Sequence, residues 1–295
     1  MATPTLKQLD AFYWAATCAN FSTAAQRLHL SVSSLSKRIN ELEQVVERTL
    51  FDRSGHRAVL TDDGEALLPA VVRVLESVAA LQESVARDEG LSGRLRFGVG
   101  ELSALTWLPR FVAAVQKQHP KLALEPYVDV GAALEEKVDA GELDFAVIAG
   151  RSSRSSVLSQ PVAEARFAWM AAEALVGRER VLTPALLGSH ALVLLPSGSG
   201  VTRILDDWLL ACGVNHARRI ECNNWSAVAG MLGEGVGIGF LPVDWARARP
   251  GGHLVQLTSE PPLAPLQYAF QWRRGDVRGL IPSMLSLVRQ YADFC

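Results

Sequence analysis

Four serines, a lysine and an arginine crowd the stretch "HLSVSSLSKRI", residues 29–39. Their shared chemistry is hydrogen bonding: a hydroxyl donates and accepts, while an ammonium or guanidinium only donates. Counted at 100° per residue, Leu35, Ile39, Leu42 and Val46 form one narrow apolar stripe. Ser33, Lys37, Asn40 and Gln44 lie opposite, with Ser36 on their flank. One face would anchor a helix in a core. The other is slim at its N-terminal end and rich in groups that reach base edges and phosphates, as entry into a DNA major groove requires. A solvated polar face on an ordinary helix has the same pattern, so the surroundings must decide.

The surroundings favour the groove. "TLFDRSGHRAVLT" follows, with Leu50, Phe51, Val59 and Leu60 as apolar anchors around a turn at Ser54–Gly55. It predicts two short strands whose tip carries Arg53, His56 and Arg57. A basic hairpin beside a helix-turn-helix is a wing, placed to lie along the phosphate backbone. Residues 1–60 hold seven lysines and arginines against five acidic residues. That surplus is small, but the wing tip and the start of the helix hold most of it.

Two earlier helices must support this unit. Leu6, Leu9, Phe12 and Ala16 share one helical face. Asn20 breaks that helix, and Ser22 is expected to cap the next, whose Ala24 and Ala25 permit close packing. After the wing, Thr61 caps a long helix predicted over about 62–88, with Asp62, Asp63 and Glu65 at its positive end. Leu67, Val71, Val74, Val78, Leu81 and Val85 recur at alternating spacings of four and three. This is an a/d seam along a helix roughly 40 Å long. A wing domain is too small to cover it, so the seam is read as a dimerisation surface.

From about Leu91 the pattern alternates. "RLRFGVG", "LALEPYVDV", "LDFAVIA", "ALVLL" and "GVGIGFLP" read as strands, with helices near 106–117, 132–140, 202–211 and 227–232. Alternation predicts parallel sheets with crossover helices, in more units than one small sheet holds. "SQPVAEARF" and "EPPLAPLQY" are candidate crossings between two subdomains, and "LQYAFQW" with "LIPSMLSLVRQYADF" would return to the first. A cleft between two such sheets is the default pocket.

Composition excludes several classes. The chain of 295 residues is 49% hydrophobic and 20% charged, with a net charge of −2, so it is no bulk polycation. It shows no membrane span and no secretory leader, and it reads as an intracellular, cytoplasmic protein. The cysteines at 18, 212, 222 and 295 lack CxxC spacing, and the six histidines lack HxxxH or HxH spacing, so no metal site is expected. "GVGELS" and "GEGVGIGF" miss the dinucleotide-loop spacing, and "PSGSG" is not a nucleophile elbow, so no cofactor is expected. One competing class is an α/β small-molecule enzyme or transport-type binding protein with an N-terminal helical interaction domain. Such a protein needs neither wing arginines nor a heptad seam.

Over essentially its full length the chain resembles the LysR-type transcriptional regulators. "FSTAAQRLHLSVSSLSKRINELE" is similar to the family's helix-turn-helix, and "LFDRSGHRAVLTDDGEALL" to its wing and the start of its linker helix. "GRLRFGVG", "HPKLALEPYVDVGAALEEKVDAGELDFAV" and "GEGVGIGFLP" resemble its effector domain. The resemblance implies a winged helix-turn-helix over 1–61, a linker and dimerisation helix over 62–89, and an α/β, periplasmic-binding-protein-like effector domain over 90–295. Subdomain I would take 90–162 and 266–295, and subdomain II 163–265. It also implies paired linker helices, usually a tetramer built as a dimer of dimers, contact with RNA polymerase, and no enzymatic activity.

Residue by residue, the resemblance makes Ser22, Thr23, Val32, Ser33, Ser34, Ser36, Lys37, Arg38, Arg53 and Arg57 the candidate DNA contacts. The family commonly has a glutamine near the start of the recognition helix. Val32 stands there instead, able to pack on a thymine methyl but not to hydrogen-bond a base. The effector site is implied between the subdomains, with Glu101, Leu102, Ser103, Gly131, Ser197, Ser199, Thr202, Asn223 and Trp225 as candidates. Hydroxyls at Ser103, Ser199 and Thr202 and a flat wall at Trp225 suit a small organic acid or aromatic metabolite. Glu101 would repel an anion unless Arg203 or Arg151 offsets it. If it faces the cleft, a cationic or zwitterionic ligand fits better. If it faces solvent, it only caps the helix near Thr106.

Overall fold

A computed structural model describes residues 3–54, 58–85, 91–196, 200–213, 218–247, 254–276 and 278–294. Helices α1 (Leu6–Thr17), α2 (Phe21–Arg27) and α3 (Val32–Val46) are followed by strands β1 (Phe51–Asp52) and β2 (Val59–Leu60). The strands pair antiparallel as the wing, Phe51 opposite Leu60. Thr5 and Gln8 close a reciprocal capping box on α1. Asn20, not Ser22, caps α2, accepting from the Thr23 N–H. Ser22 falls inside the first turn, because the chain reaches helical geometry two residues earlier than its serine suggests. Leu9, Phe12, Leu35, Ile39 and Leu42 build the head's core, and Phe51 meets Phe12 and Phe21 edge-on.

Helix α4 (Asp62–Val85) begins as expected, with Thr61 accepting from the Gly64 N–H. Its seam divides. Leu67 and Val71 pack on the head's own core, so the seam does find a partner in its own chain at that end. Val74 and Leu81 stay 42% and 63% exposed. Residues 86–88 and the Val85 side chain lie outside the described residues.

The remainder forms two five-stranded sheets. The first takes β3 (Gly93–Val99), α5 (Glu101–Leu105), α6 (Leu108–Gln118), β4 (Leu122–Val128), α7 (Gly131–Asp139), β5 (Phe145–Ala149) and β6 (Val157–Ala165). The second takes β7 (Phe167–Ala172), α8 (Glu173–Val176), α9 (Pro184–Ser189), β8 (Ala191–Leu194), α10 (Gly200–Ala211), β9 (Arg219–Glu221), α11 (Trp225–Gly233), β10 (Gly237–Pro242), α12 (Val243–Arg247) and β11 (Leu254–Leu257). Then β12 (Leu266–Arg273) and α13 (Leu280–Tyr291) return to the first sheet. The orders are β4-β3-β5-β12-β6 and β11-β7-β10-β8-β9. Both sheets are mixed rather than parallel. β12 runs antiparallel to β5 and β6, and β7 antiparallel to β10 and β11. A chain that crosses to another sheet and returns need not re-enter through a right-handed crossover helix, so its strands can pair antiparallel. The first crossing falls at Arg166, since β6 through Ala165 still belongs to the first sheet; the expected boundary after 162 was early. Phe97, Phe145 and Phe270 stack across neighbouring strands at 5.2 and 4.4 Å and anchor subdomain I.

The head also docks on subdomain I. The Arg27 guanidinium reaches the Gly141 carbonyl and pairs with Asp144 at 2.8 Å. Arg278 pairs with the same Asp144 oxygen at 2.7 Å and also with Asp276. Asp144's second oxygen accepts from the Arg96 N–H of β3. Arg273 donates to the Thr17 carbonyl, and the Ala19 N–H to the Ala140 carbonyl at 3.2 Å. Arg27, Arg273 and Arg278 all lie over the Trp14 ring, at 5.1, 5.5 and 5.1 Å from its centroid.

Candidate DNA-reading face and effector cleft

Ser31 caps α3, accepting from the Ser34 N–H and lying within 2.9 Å of the Ser33 and Ser34 hydroxyls. Leu35, Ile39 and Leu42 are fully buried, while Val32, Ser33, Ser34, Lys37 and Asn40 are exposed. Ser36 and Arg38 are half-buried at the edges. A short polar face therefore projects from a helix whose opposite side is fixed in the core. Val32 sits on it at 45% exposure, placed for apolar contact only. Ser22 is exposed, but Thr23 is buried and its N–H serves Asn20.

Glu43 organises the wing, a role its sequence position did not reveal. Its carboxylate accepts from the Leu50 and Phe51 N–H groups and pairs with Arg53 at 3.2 Å. Arg53 also lies 6.0 Å above the Phe21 ring, which holds it at the wing's base. Arg57 lies outside the described residues.

At the cleft, Glu101 neither faces solvent nor caps its own helix. Its carboxylate crosses to subdomain II and accepts from the Trp225 N–H at 3.0 Å and from Asn224 Nδ2 at 2.7 Å. Asn224 in turn caps α11, accepting from the Ala227 N–H. The positive end of α11 is thus the group that offsets Glu101, not Arg151; the Arg203 side chain is outside the described residues. Burial raises the Glu101 pKa, and the Trp225 N–H only partly opposes that.

Other expected effector contacts are turned inward. Ser103 is fully buried with Leu102 on the inner face of α5. Thr202 is buried too, its hydroxyl donating to the Leu195 and Pro196 carbonyls, so it fixes the loop after β8. Trp225 is 3% exposed, with its ring stacked on Phe167 and edge-on to Phe240; it is a core residue of subdomain II and no cleft wall. Its N–H alone reaches the cleft. Gly131 opens α7 and Asn223 is exposed beside Asn224. Ser197 and Ser199 lie outside the described residues. Gly200 packs so tightly on subdomain I that a Cβ there would stand 2.9 Å from Ala149 Cβ. Among the described residues the cleft is therefore closed by Glu101 and at Gly200.

These two assemblies match known profiles. Residues 6–65 match the bacterial regulatory helix-turn-helix protein, lysR family, and residues 88–293 match the LysR substrate binding domain. The chain belongs to the LysR family of transcriptional regulators. It is 27% identical to the RuBisCO operon transcriptional regulator of Acidithiobacillus ferrooxidans, over 83% of this chain and 79% of that one. It is 30% identical to the uncharacterized HTH-type transcriptional regulator YxjO of Bacillus subtilis (strain 168), over 54% of this chain and 55% of that one. A hydrogen-peroxide-bound cysteine-to-serine mutant of Corynebacterium glutamicum OxyR superposes with a TM-score of 0.59 and 25% identity, covering 99% of this chain and 95% of that one.

This LysR-type protein is thus a transcriptional regulator with an effector-binding domain, and not an enzyme. LysR regulators bind DNA and small-molecule effectors and form oligomers. Among the described residues no helix is long and apolar enough to cross a membrane. Sequence reasoning missed Ser31, Asn20, Glu43 and Asn224. Ser31, Asn20 and Asn224 each stand one position before a helix start, whereas Glu43 lies inside α3. Their capping chemistry was available as a signal for all but Glu43, whose partners lie seven and eight residues on.

Proposed function

We propose that this cytoplasmic LysR-type regulator reads promoter DNA through α3 and the wing, as a dimer paired along α4 and assembled further into a tetramer that contacts RNA polymerase. The observation that carries the reading is the exposed Ser33–Ser34–Lys37 face opposite fully buried Leu35, Ile39 and Leu42. Lys37→Ala should weaken binding to the regulator's own upstream DNA. If Lys37 touches a base pair, preference there should relax by roughly 1–3 kcal/mol. A gel-shift titration at several salt concentrations tests this, and binding no better than to random DNA would refute it. The exposed half of the α4 seam supports the pairing. Val74→Asp places a charge in that surface and should split the dimer in sedimentation, whereas an unchanged oligomer would assign assembly to the effector domains.

The effector reading centres on Glu101. A carboxylate already occupies the positive end of α11, so a small organic anion entering the cleft competes with Glu101 for the Trp225 and Asn224 donors. Removing the internal competitor should help it bind. In a thermal-shift screen of organic acids and amino acids, a true anionic effector should stabilise Glu101→Gln more than the wild type. Equal stabilisation of both would place the site elsewhere.

A further inference from the structure

The docking of the head on subdomain I is built differently from an incidental packing contact. Its charges are internal: the Asp144 side chain is fully buried and the Arg27 side chain only 5% exposed, although Arg27 closes the first helix of the helix-turn-helix. Three guanidinium groups from α2, the end of β12 and the loop after it converge on one indole; Asp144 bridges Arg27 and Arg278, and Asp276 pairs with Arg278. An isolated buried charge is costly, so each member holds its partners in place. The contact also spares the reading face. Lys37, Ser33 and Ser34 remain exposed, while α2 and the rear of α1 are the parts held.

We infer that the DNA-reading head and subdomain I form one rigid lever, joined through Trp14, Arg27, Asp144 and Arg278, so that the angle of α3 follows the effector domain rather than swinging freely on α4. Asp144 makes the joint continuous with the sheet, since its second oxygen holds the β3 backbone at Arg96, and β3 leads directly to Gly100 and Glu101 at the cleft. Two rigidly held heads meet two half-sites at a fixed spacing. A loose joint keeps each head's own contacts and loses that spacing. This inference rests on α3 being the reading helix only for its DNA arm, and the cross-linking arm below stands without it.

The joint contains its own probe. Gly141 lies beside Cys18, whose Sγ is 2.9 Å from where a Cβ at position 141 would stand. That is about the separation between a Cβ and the far sulfur of a disulfide, roughly 3 Å. In the full-length protein, Gly141→Cys treated with oxidised glutathione should form a 18–141 disulfide in most chains, identified by peptide mass. Adding Asp144→Asn should slow its formation at least tenfold. No cross-link, or equal rates in the two variants, overturns the lever. Gly141 has a φ of +77°, where a side chain is strained, so a second measurement avoids that substitution. Asp144→Asn alone should lose at least tenfold in affinity for the DNA the protein protects upstream of its own coding region. It should bind one half of that fragment within twofold of wild type. The disulfide formed in Gly141→Cys/Asp144→Asn should restore the lost affinity. Whole-site and half-site affinity falling together, or neither falling, overturns the proposal.

Discussion

The regulator has two internal interfaces between compact bodies, and they are made of opposite materials. The joint between head and subdomain I gathers five charged groups around Trp14, four of them buried and Arg278 partly so. The cleft between the subdomains is held in part by one half-buried carboxylate on a helix end. At the joint, paired opposite charges outweigh burial: burial alone would raise the Asp276 pKa, yet Arg278 holds it below the ordinary value. At the cleft burial wins, and Glu101 is raised. A buried network resists the loss of any member. A single carboxylate, poorly compensated for the solvent it has lost, releases easily. The difference assigns rigidity to the joint and motion to the cleft, where the proposed effector would enter.

The sharpest way to break that contrast is Asp144→Ala. It leaves Arg27 and Arg278 without their shared partner and the Arg96 N–H without its acceptor. Loss of one partner from a buried charge network destabilises by roughly 3–5 kcal/mol. Chemical denaturation should therefore show a large fall in midpoint, or a separate early transition as the head detaches. A change below about 1 kcal/mol would mean the joint is no firmer than a surface ion pair.

Sequence and structure part company along this same line. The two-faced character of α3 was legible because it is local: Leu35, Ile39 and Leu42 recur at the helical period and the structure buries all three. The wing, the start of α4 and most strands were legible for the same reason. The joint was not, because Trp14, Arg27, Asp144, Arg273 and Arg278 are spread over 264 positions and share no period. One signal was present. Ala11 to Ala15 is apolar without a break, wider than one stripe, and a helix apolar on both sides is buried on both sides. At the cleft, residue type predicts ligand contacts from the hydroxyl-bearing loops. Thr202 is instead used up by loop carbonyls, and Trp225 by Phe167 and Phe240. Residue type alone does not distinguish a side chain that binds a ligand from one that holds its own loop.

A smaller effect sharpens the joint through pH. Asp276 titrates below its ordinary 3.8 in the folded protein. Its contribution is complete above the unfolded value and is lost as pH falls through the folded one, so the window lies below pH 3.8. Wild-type denaturation midpoints should fall as the solution is acidified through that range. Asp276→Asn should start lower and fall less. Parallel curves for the two proteins would remove Asp276 from the account.

The smallest effect concerns Glu101, and it carries the opposite sign. An acid whose folded pKa is raised binds its proton more tightly in the folded state than in the unfolded chain. Stability then declines as pH rises from the unfolded value of 4.5 through the folded value. Glu101→Gln keeps an oxygen to accept from the Trp225 N–H, removes the titration, and gives up the attraction of a charge for a helix N-terminus, roughly 0.3–1 kcal/mol. At neutral pH the two effects oppose each other, so the net change should stay within about 1 kcal/mol. The decisive reading is the slope. Between pH 4 and 6 the wild-type midpoint should drift downward relative to Glu101→Gln, in the direction opposite to the Asp276 effect. If Glu101→Gln instead destabilises as much as Asp144→Ala, the cleft is a second rigid joint. The contrast between a fixed lever and a mobile cleft would then fail.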